Sequence, residues 1–289
     1  MPNPESDPSL YFQRIFNEEE ARKRLAVTQD SKERQDLLKM LVGWALAKRV
    51  KNGDKIGIGS GTTSEAAIRA IGQRMALDKD FKVSGVATSK KLSKLASNLG
   101  IIMDPFEETL TRESTIKDLN WGFDGADEVE LIFDEEGRLK GFAIIKGGGG
   151  AHTIERAVAK RCKEWIVIVD ESKIVDQLGA FPVAVEVDPN EEEKVRQIFL
   201  DKEKYNAQSA ENKINDDGNL FVTDKGNHIL KVLMGEGKIK DEWEQEWRTI
   251  PGVIDTGLFI NEVKICEVMV ARENGEIEIF KPALVTQTT

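Results

Sequence analysis

The chain has 289 residues, a mass of 32.3 kDa and a formal net charge of −10, and 40% of its residues are hydrophobic. This composition is typical of a folded globular protein and unlike that of a disordered chain, and no apolar run approaches the roughly 18 residues that a membrane-spanning helix needs. The negative charge disfavours nucleic acid as a main partner, although a few backbone N–H groups and lysines can hold one phosphate.

The first thirty residues are polar, contain Pro2, Pro4 and Pro8, and lack the apolar core of a signal peptide. We therefore predict that residues 1–32 are an N-terminal extension with one short helix and that the protein is cytoplasmic. Cys162 and Cys266 form no motif. This favours two reduced, partly buried thiols over a disulfide or a catalytic role.

From residue 33 to residue 182, segments of helical periodicity alternate with short apolar runs. The predicted helices lie at about 33–50, 63–75, 89–99 and 151–161, and the predicted strands at about 55–59, 82–87, 101–103, 121–123, 142–145 and 165–169. Such alternation predicts an α/β fold with a mostly parallel, Rossmann-like sheet and helices on both faces.

The pattern changes after Pro182. A strand at 183–187 is followed by a helix that Asn190 would cap, with Glu193 suited to a capping box. Further strand-like runs lie at 219–223, 228–234, 253–260, 265–271 and 276–280. We predict a smaller α+β (ferredoxin-like) lobe at residues 183–250 and a main α/β catalytic domain formed by residues 33–182 and 251–289.

A glycine-rich turn, Gly57-Ile58-Gly59-Ser60-Gly61-Thr62-Thr63, connects a predicted strand to a predicted helix. Glycines allow a ligand to approach the backbone, and a helix N-terminus offers unpaired N–H groups to a phosphate. The turn matches neither the phosphate-loop spacing nor the dinucleotide-binding pattern, in which Thr62 would have to be glycine. A tight connection without a ligand remains the alternative.

A compact acidic turn, Asp124-Gly125-Ala126-Asp127-Glu128, directly follows a predicted strand. The carboxyl ends of the strands are the edge at which α/β sheets bind ligands, which favours a functional site. A solvated turn and a carboxylate metal site are the alternatives.

Four consecutive glycines, Gly147 to Gly150, lie between a predicted strand and a predicted helix and are bracketed by Lys146 and Glu155. Four glycines are costly to order, so such a loop suits a backbone that wraps closely around a ligand. A glutamate can move a proton between adjacent carbons while a lysine holds the enediolate oxygen, which together suit carbonyl isomerisation without a metal. A flexible surface loop is the alternative, and His152 is expected to be a helix-surface residue.

The last motif, Asp170-Glu171-Ser172-Lys173, stands at a strand end, where Lys173 could neutralise a phosphate or simply be solvated. The four motifs, in this order, resemble type A ribose-5-phosphate isomerase, which interconverts ribose 5-phosphate and ribulose 5-phosphate. With matching segments around Lys39, Pro182 and Pro251, the similarity covers about residues 33–281. The resemblance implies an enzyme with no cofactor and no metal, a sugar phosphate as its partner, no nucleic acid or membrane partner, and a homodimer or homotetramer.

The resemblance also implies roles for individual residues. Glu155 would shuttle the proton between C1 and C2, Asp124 would move hydroxyl protons and help open the ring, and Asp127 and Lys146 would bind hydroxyls and stabilise the enediolate. The residues expected to contact the substrate or its phosphate are Lys39, Ser60, Gly61, Thr62, Thr63, Thr88, Ser89, Gly147, Gly148, Gly149 and Lys173.

The chain departs from the family pattern in its N-terminal extension, in extra residues near Ile132, Ala210 and Gly237, and in His152, where a small or apolar residue is expected. Two rival functions are a related enzyme, such as a sugar-phosphate deaminase or a coenzyme A transferase, and a sugar-phosphate sensor. The Lys146–Glu155 pair argues against the transferase, and the acidic N-terminal region lacks the basic helix-turn-helix of a sensor.

Overall fold

The computed structural model describes residues 17–106, 116 and 118–283. The described residues divide into two compact units: residues 17–106, 116, 118–125, 166–172 and 267–280 form the first, and residues 126–165, 173–266 and 281–283 form the second. The second unit therefore groups residues 126–165 with the segment predicted as a smaller lobe. The domain boundaries predicted from the sequence, near residues 182 and 250, stay a prediction.

The helices of the described residues are α1 (Glu18–Leu25), α2 (Ser31–Arg49), α3 (Gly61–Leu77), α4 (Lys90–Asn98), α5 (His152–Ala159), α6 (Glu192–Leu200) and α7 (Trp243–Glu246). The strands are β1 (Lys55–Ile58), β2 (Ser84–Ala87), β3 (Ile102–Met103), β4 (Trp121–Asp124), β5 (Glu128–Phe133), β6 (Leu139–Ile145), β7 (Trp165–Asp170), β8 (Ile174–Val175), β9 (Val183–Val187), β10 (Ser209–Asn212), β11 (His228–Leu233), β12 (Val253–Thr256), β13 (Leu258–Phe259), β14 (Ile265–Ala271) and β15 (Ile277–Phe280).

The first unit is built on a seven-stranded sheet in the order β15–β14–β7–β4–β1–β2–β3. β1 runs parallel to β2 and β4, β2 runs parallel to β3, and β14 is antiparallel to β15. All residues of β4 and β7 are buried, which is why these strands read as continuous apolar runs in the sequence. The mostly parallel sheet with its helices confirms the predicted α/β fold.

The second unit contains two four-stranded sheets, in the orders β10–β11–β9–β12 and β13–β6–β5–β8. The first of them is antiparallel throughout, as predicted for a smaller α+β lobe. Four aromatic rings, those of Phe199, Tyr205, Trp243 and Trp247, pack together in its core at centroid distances of 4.7–5.8 Å.

Two predicted strands were wrong. Residues 253–260 form two strands rather than one: β12 pairs with β9 and β13 with β6. Gly257 separates them, and a side chain there would lie 2.1 Å from the Lys146 carbonyl oxygen. Residues 219–223 form no strand and contribute only the isolated pairs Ile214–Leu220 and Val222–His228.

The predicted cap of α6 was also wrong. Its N-cap is Glu191, which makes no side-chain capping hydrogen bond, while the Asn190 amide donates to the Asp188 carboxylate at 2.9 Å. By contrast, Gly100 has a φ of +91° at the end of α4, which agrees with its predicted place after the helix.

The predicted N-terminal extension contains one short helix, α1. Residues 1–16 of the extension lie outside the described residues. Among the described residues, Cys162 and Cys266 form no disulfide and both are partly buried, as predicted. Within the described residues, no helix is both long enough and apolar enough to cross a membrane.

Candidate active site

The glycine-rich turn connects β1 to the N-terminus of α3. The helix begins at Gly61, whose φ is +87°, and no acidic residue lies in its first turn. Thr62 is exposed and Thr63 is partly buried. The first N–H groups and the positive end of a 17-residue helix therefore lie beside two hydroxyl groups, an arrangement that suits an anion.

Asp124, at the end of β4, is fully buried against this turn. Its Oδ1 accepts hydrogen bonds from the Gly125 N–H at 2.7 Å and the Ser64 hydroxyl at 3.3 Å. A side chain at Gly59 would lie 2.1 Å from the Asp124 Cγ. Glycine at this position is therefore required by the close approach of a carboxylate, a role that the motif alone did not indicate.

Thr88, Ser89 and Lys39 are held by different partners in the first unit. The buried Thr88 follows β2, and its N–H donates to the Ile58 carbonyl at 2.9 Å, so it lies beside the end of β1. The Ser89 hydroxyl caps α4. The Lys39 ammonium lies 3.7 Å from the Asp36 carboxylate on α2. Only Thr88 is thus tied directly to the strand that precedes the glycine-rich turn.

In the second unit, Lys146 and Glu155 form a buried ion pair. The Lys146 Nζ and the Glu155 Oε2 lie 3.3 Å apart, and the two residues are only 3% and 4% exposed. Lys146 follows β6, and Glu155 lies in the first turn of α5. The pair therefore joins the two ends of the intervening glycine loop, and its role as an acid–base pair stays a prediction.

The glycine loop itself is shaped by contacts that exclude side chains. Gly147 and Gly150 have φ values of +92° and +87°, which residues other than glycine adopt only at a cost. The Gly148 N–H donates to the Asp127 Oδ2 at 2.8 Å, and a side chain at Gly148 would lie 2.9 Å from the other carboxylate oxygen. The loop thus wraps one carboxylate of the acidic turn.

The pKa of Asp127 is raised, chiefly because the carboxyl group is buried. The Gly148 N–H and the positive charges of Lys146 and Lys173 oppose this rise, whereas the negative charge of Glu155 adds to it. Lys173 is partly buried at the end of the 3-10 helix that follows β7. The structure therefore brings Asp127 into one electrostatic environment with both lysines and Glu155.

The third carboxylate of the acidic turn has a structural role. Glu128 is buried and accepts hydrogen bonds from the N–H groups of Gly179 and Phe181 at 2.8 and 2.6 Å. Burial is the main reason that its pKa is raised. Among residues 17–106, 116 and 118–283, no three His, Cys, Asp or Glu side chains are grouped as a metal ion would require.

The sequence predicts a helix-surface position for His152, but the residue is fully buried. Its Nε2 lies 3.4 Å from the Asp255 carbonyl oxygen, and its ring fills the space that a side chain at Gly147 would occupy. Burial lowers the pKa of His152, which favours the neutral ring at pH 7. The ring therefore supports the loop by packing.

Arg156 and Lys213 were not found from the sequence. Arg156, one residue after Glu155, is buried and forms ion pairs with Asp255 at 3.0 Å and Glu244 at 2.8 Å. These ion pairs hold α5 in place. The Lys213 ammonium donates to the Gly148 carbonyl at 2.6 Å. Neither belongs to a motif, because the partners of both are distant in sequence.

The profile of the ribose 5-phosphate isomerase A (phosphoriboisomerase A) family matches residues 84–275. The chain belongs to this family. Ribose-5-phosphate isomerase A of Thermoplasma volcanium is 39% identical over 241 residues, which cover 80% of this chain and 91% of that protein.

Solved structures of ribose 5-phosphate isomerases agree with this assignment. The enzyme of Methanocaldococcus jannaschii is 34% identical, covers 84% of this chain and 98% of its own, and has a TM-score of 0.70. A second structure, a D-ribose-5-phosphate isomerase in complex with phospho-erythronic acid, is 27% identical, covers 84% of this chain and 97% of its own, and has a TM-score of 0.71. Ribose 5-phosphate isomerase A is an enzyme family that interconverts ribose 5-phosphate and ribulose 5-phosphate in the pentose phosphate pathway.

Proposed function

We propose that the protein interconverts D-ribose 5-phosphate and D-ribulose 5-phosphate through an enediolate, with Glu155 as the base. The observation that carries this assignment is the buried Lys146–Glu155 pair, 3.3 Å apart across a loop of four glycines. Membership of the isomerase family supports it. A carboxylate and an ammonium held away from water are the two groups that this proton transfer needs.

In the aldose-to-ketose direction, the Glu155 carboxylate removes the proton from C2 of the open-chain sugar. The electron pair moves to form the C1–C2 enediolate, the Lys146 ammonium neutralises the charge on its oxygen, and Glu155 returns the proton to C1. Asp124 takes the proton from the C2 hydroxyl and delivers it to the C1 oxygen, which leaves the ketone at C2, and it also assists ring opening. Asp127, whose pKa is raised by burial, binds the sugar hydroxyls in its place beside the glycine loop.

The phosphate and the remaining sugar oxygens are assigned to hydroxyl, ammonium and backbone N–H groups. The first turn of α3 supports this assignment because it combines hydroxyls with the positive end of a helix and has no acidic residue. The residues assigned here are Lys39, Ser60, Gly61, Thr62, Thr63, Thr88, Ser89, Gly147, Gly148, Gly149 and Lys173.

The decisive experiment compares Glu155→Gln with a matched control. Glu164→Gln changes an exposed glutamate and is expected to leave turnover unchanged. Glu155→Gln is expected to lower kcat by at least about a hundredfold, the usual scale for loss of a general base. Conversion of ribose 5-phosphate would be followed in D₂O, where the wild type is expected to place solvent deuterium on the sugar carbon.

Binding of phospho-erythronic acid, measured by calorimetry, separates catalysis from recognition. The Glu155→Gln variant is expected to bind it as the wild type does. Near-normal turnover of that variant would overturn the role of Glu155. Tight binding of ribose 5-phosphate by a wild type that does not convert it would favour the sugar-phosphate sensor instead.

We further propose that the protein acts in the cytoplasm as a homodimer or homotetramer. Membership of the ribose 5-phosphate isomerase A family supports this. Light scattering coupled to size-exclusion chromatography would test the assembly: a monomer of 32.3 kDa at working concentration would contradict it.

A further inference from the structure

A hairpin-like segment, residues 213–227, contacts the glycine loop at two points. The Lys213 ammonium donates to the Gly148 carbonyl at 2.6 Å. The Phe221 ring occupies the position that a side chain at Gly150 would take, with its Cε1 2.5 Å from the expected Cβ. Lys213 and Phe221 therefore contact the glycine loop in addition to Asp127.

The same segment fixes Lys213 itself. The Phe221 N–H donates to the Lys213 carbonyl at 2.9 Å, the Lys213 N–H donates to the Ile229 carbonyl at 2.8 Å, and the ammonium lies 5.2 Å from the centre of the Phe221 ring. Burial lowers the pKa of Lys213, and Lys231 adds to this effect, whereas Asp127 and Asp216 oppose it. The ammonium is thus partly desolvated and directed at one backbone acceptor.

A buried carboxylate ties the far end of this segment to α5. Glu186 accepts hydrogen bonds from the Thr223 hydroxyl at 3.0 Å and the Asn227 amide at 2.8 Å, and it also accepts one from the Thr153 hydroxyl. Thr153 lies two residues before Glu155. The segment therefore braces both the loop and the helix that carries the proposed base.

We propose that Lys213 is a positioning residue, whose ammonium holds the Gly147–Gly150 loop in the conformation that directs the Gly148 N–H at Asp127. This rests on the proposed isomerase function. Without the ammonium, the four glycines sample conformations in which the loop does not meet Asp127. Binding of the sugar must then select the competent conformation, which weakens apparent affinity while turnover of the bound substrate changes little.

The test compares Lys213→Met and Lys213→Arg with Lys140→Met, which alters an exposed lysine. Lys213→Met is expected to raise KM for ribose 5-phosphate by about tenfold to a hundredfold, the scale of one charge-assisted hydrogen bond, and to change kcat less than about threefold. Lys213→Arg retains a donor and is expected to restore most of the loss. The inhibition constant of inorganic phosphate, whose proposed site is the first turn of α3 and not the glycine loop, is expected to stay unchanged.

An unchanged KM in Lys213→Met would overturn the proposal. So would a matching rise in the inhibition constant of inorganic phosphate, because Lys213 would then be a phosphate ligand. Amide hydrogen exchange at residues 147–150 tests the same idea without activity. Exchange is expected to accelerate in Lys213→Met alone, and equal exchange in all variants would refute it. A wild type that is inactive on ribose 5-phosphate would instead refute the proposed function and leave the exchange result interpretable.

Discussion

Removing the charges of Lys146 and Glu155 separately and together is expected to separate stability from turnover. Both side chains are almost fully buried. Lys146→Met or Glu155→Gln alone leaves one charge buried without the other, which should lower the free energy of unfolding by about 3–5 kcal/mol. The double variant removes both charges and should recover most of that loss, because a buried pair replaced by neutral groups is often close to neutral in stability.

Urea unfolding followed by circular dichroism would measure the four stabilities, and the double-mutant cycle gives the coupling energy. The exposed Glu19–Lys23 pair, at 2.7 Å, is the control, and its coupling is expected to be below about 1 kcal/mol. Turnover should be lost in all three variants of the buried pair. Coupling below about 0.5 kcal/mol at Lys146 and Glu155, or turnover retained in the double variant, would refute the reasoning.

Four other outcomes are expected. Gly59→Ala should lower kcat/KM by about a hundredfold, because the added carbon would lie 2.1 Å from the Asp124 Cγ; Gly141→Ala, where the added carbon meets no atom within 4 Å, should not. Burial raises the pKa of Asp127, so its contribution to stability is lost as pH rises from the ordinary carboxyl pKa of about 3.9 through the raised value. As pH rises through this range, the free energy of unfolding of Asp127→Asn should therefore increase relative to that of the wild type, as measured by urea unfolding. A difference between the two proteins that does not change with pH would contradict this. Arg156→Met should lower the free energy of unfolding by about 3–5 kcal/mol, because Glu244 and Asp255 lose their buried ion pairs. A loss below about 1 kcal/mol in thermal melts would contradict this. Isomerase activity should survive exhaustive chelation, whereas activity restored only by added metal would assign a metal site.

The local motifs were predictable because their residues are adjacent in the chain. A glycine-rich turn after β1, an acidic turn after β4 and four glycines after β6 each follow a strand. The period of the apolar residues locates those strands, and the edge at which parallel strands end is where α/β folds bind ligands. Gly100 at the end of α4 was predictable for the same reason, because its cap depends on neighbouring residues only.

The errors fall where distant residues decide the local structure. The apolar run at 253–260 is long enough for one strand, but Gly257 meets the Lys146 carbonyl and the chain changes sheets there. His152 has a helix-surface position by spacing, yet it is buried, with its Nε2 3.4 Å from the carbonyl oxygen of the distant Asp255. The local sequence indicates neither of these contacts, because the contacting residues are about a hundred positions away in the chain.

The sequence by itself determined the fold class, the isomerase family and the candidate site residues, because these depend on periodicity and on motifs of adjacent residues. Only the tertiary structure decided that Gly59 makes room for Asp124, that Glu128 caps backbone N–H groups, and that Lys213 holds the glycine loop. These roles depend on packing and burial between segments tens of residues apart, which sequence spacing does not encode.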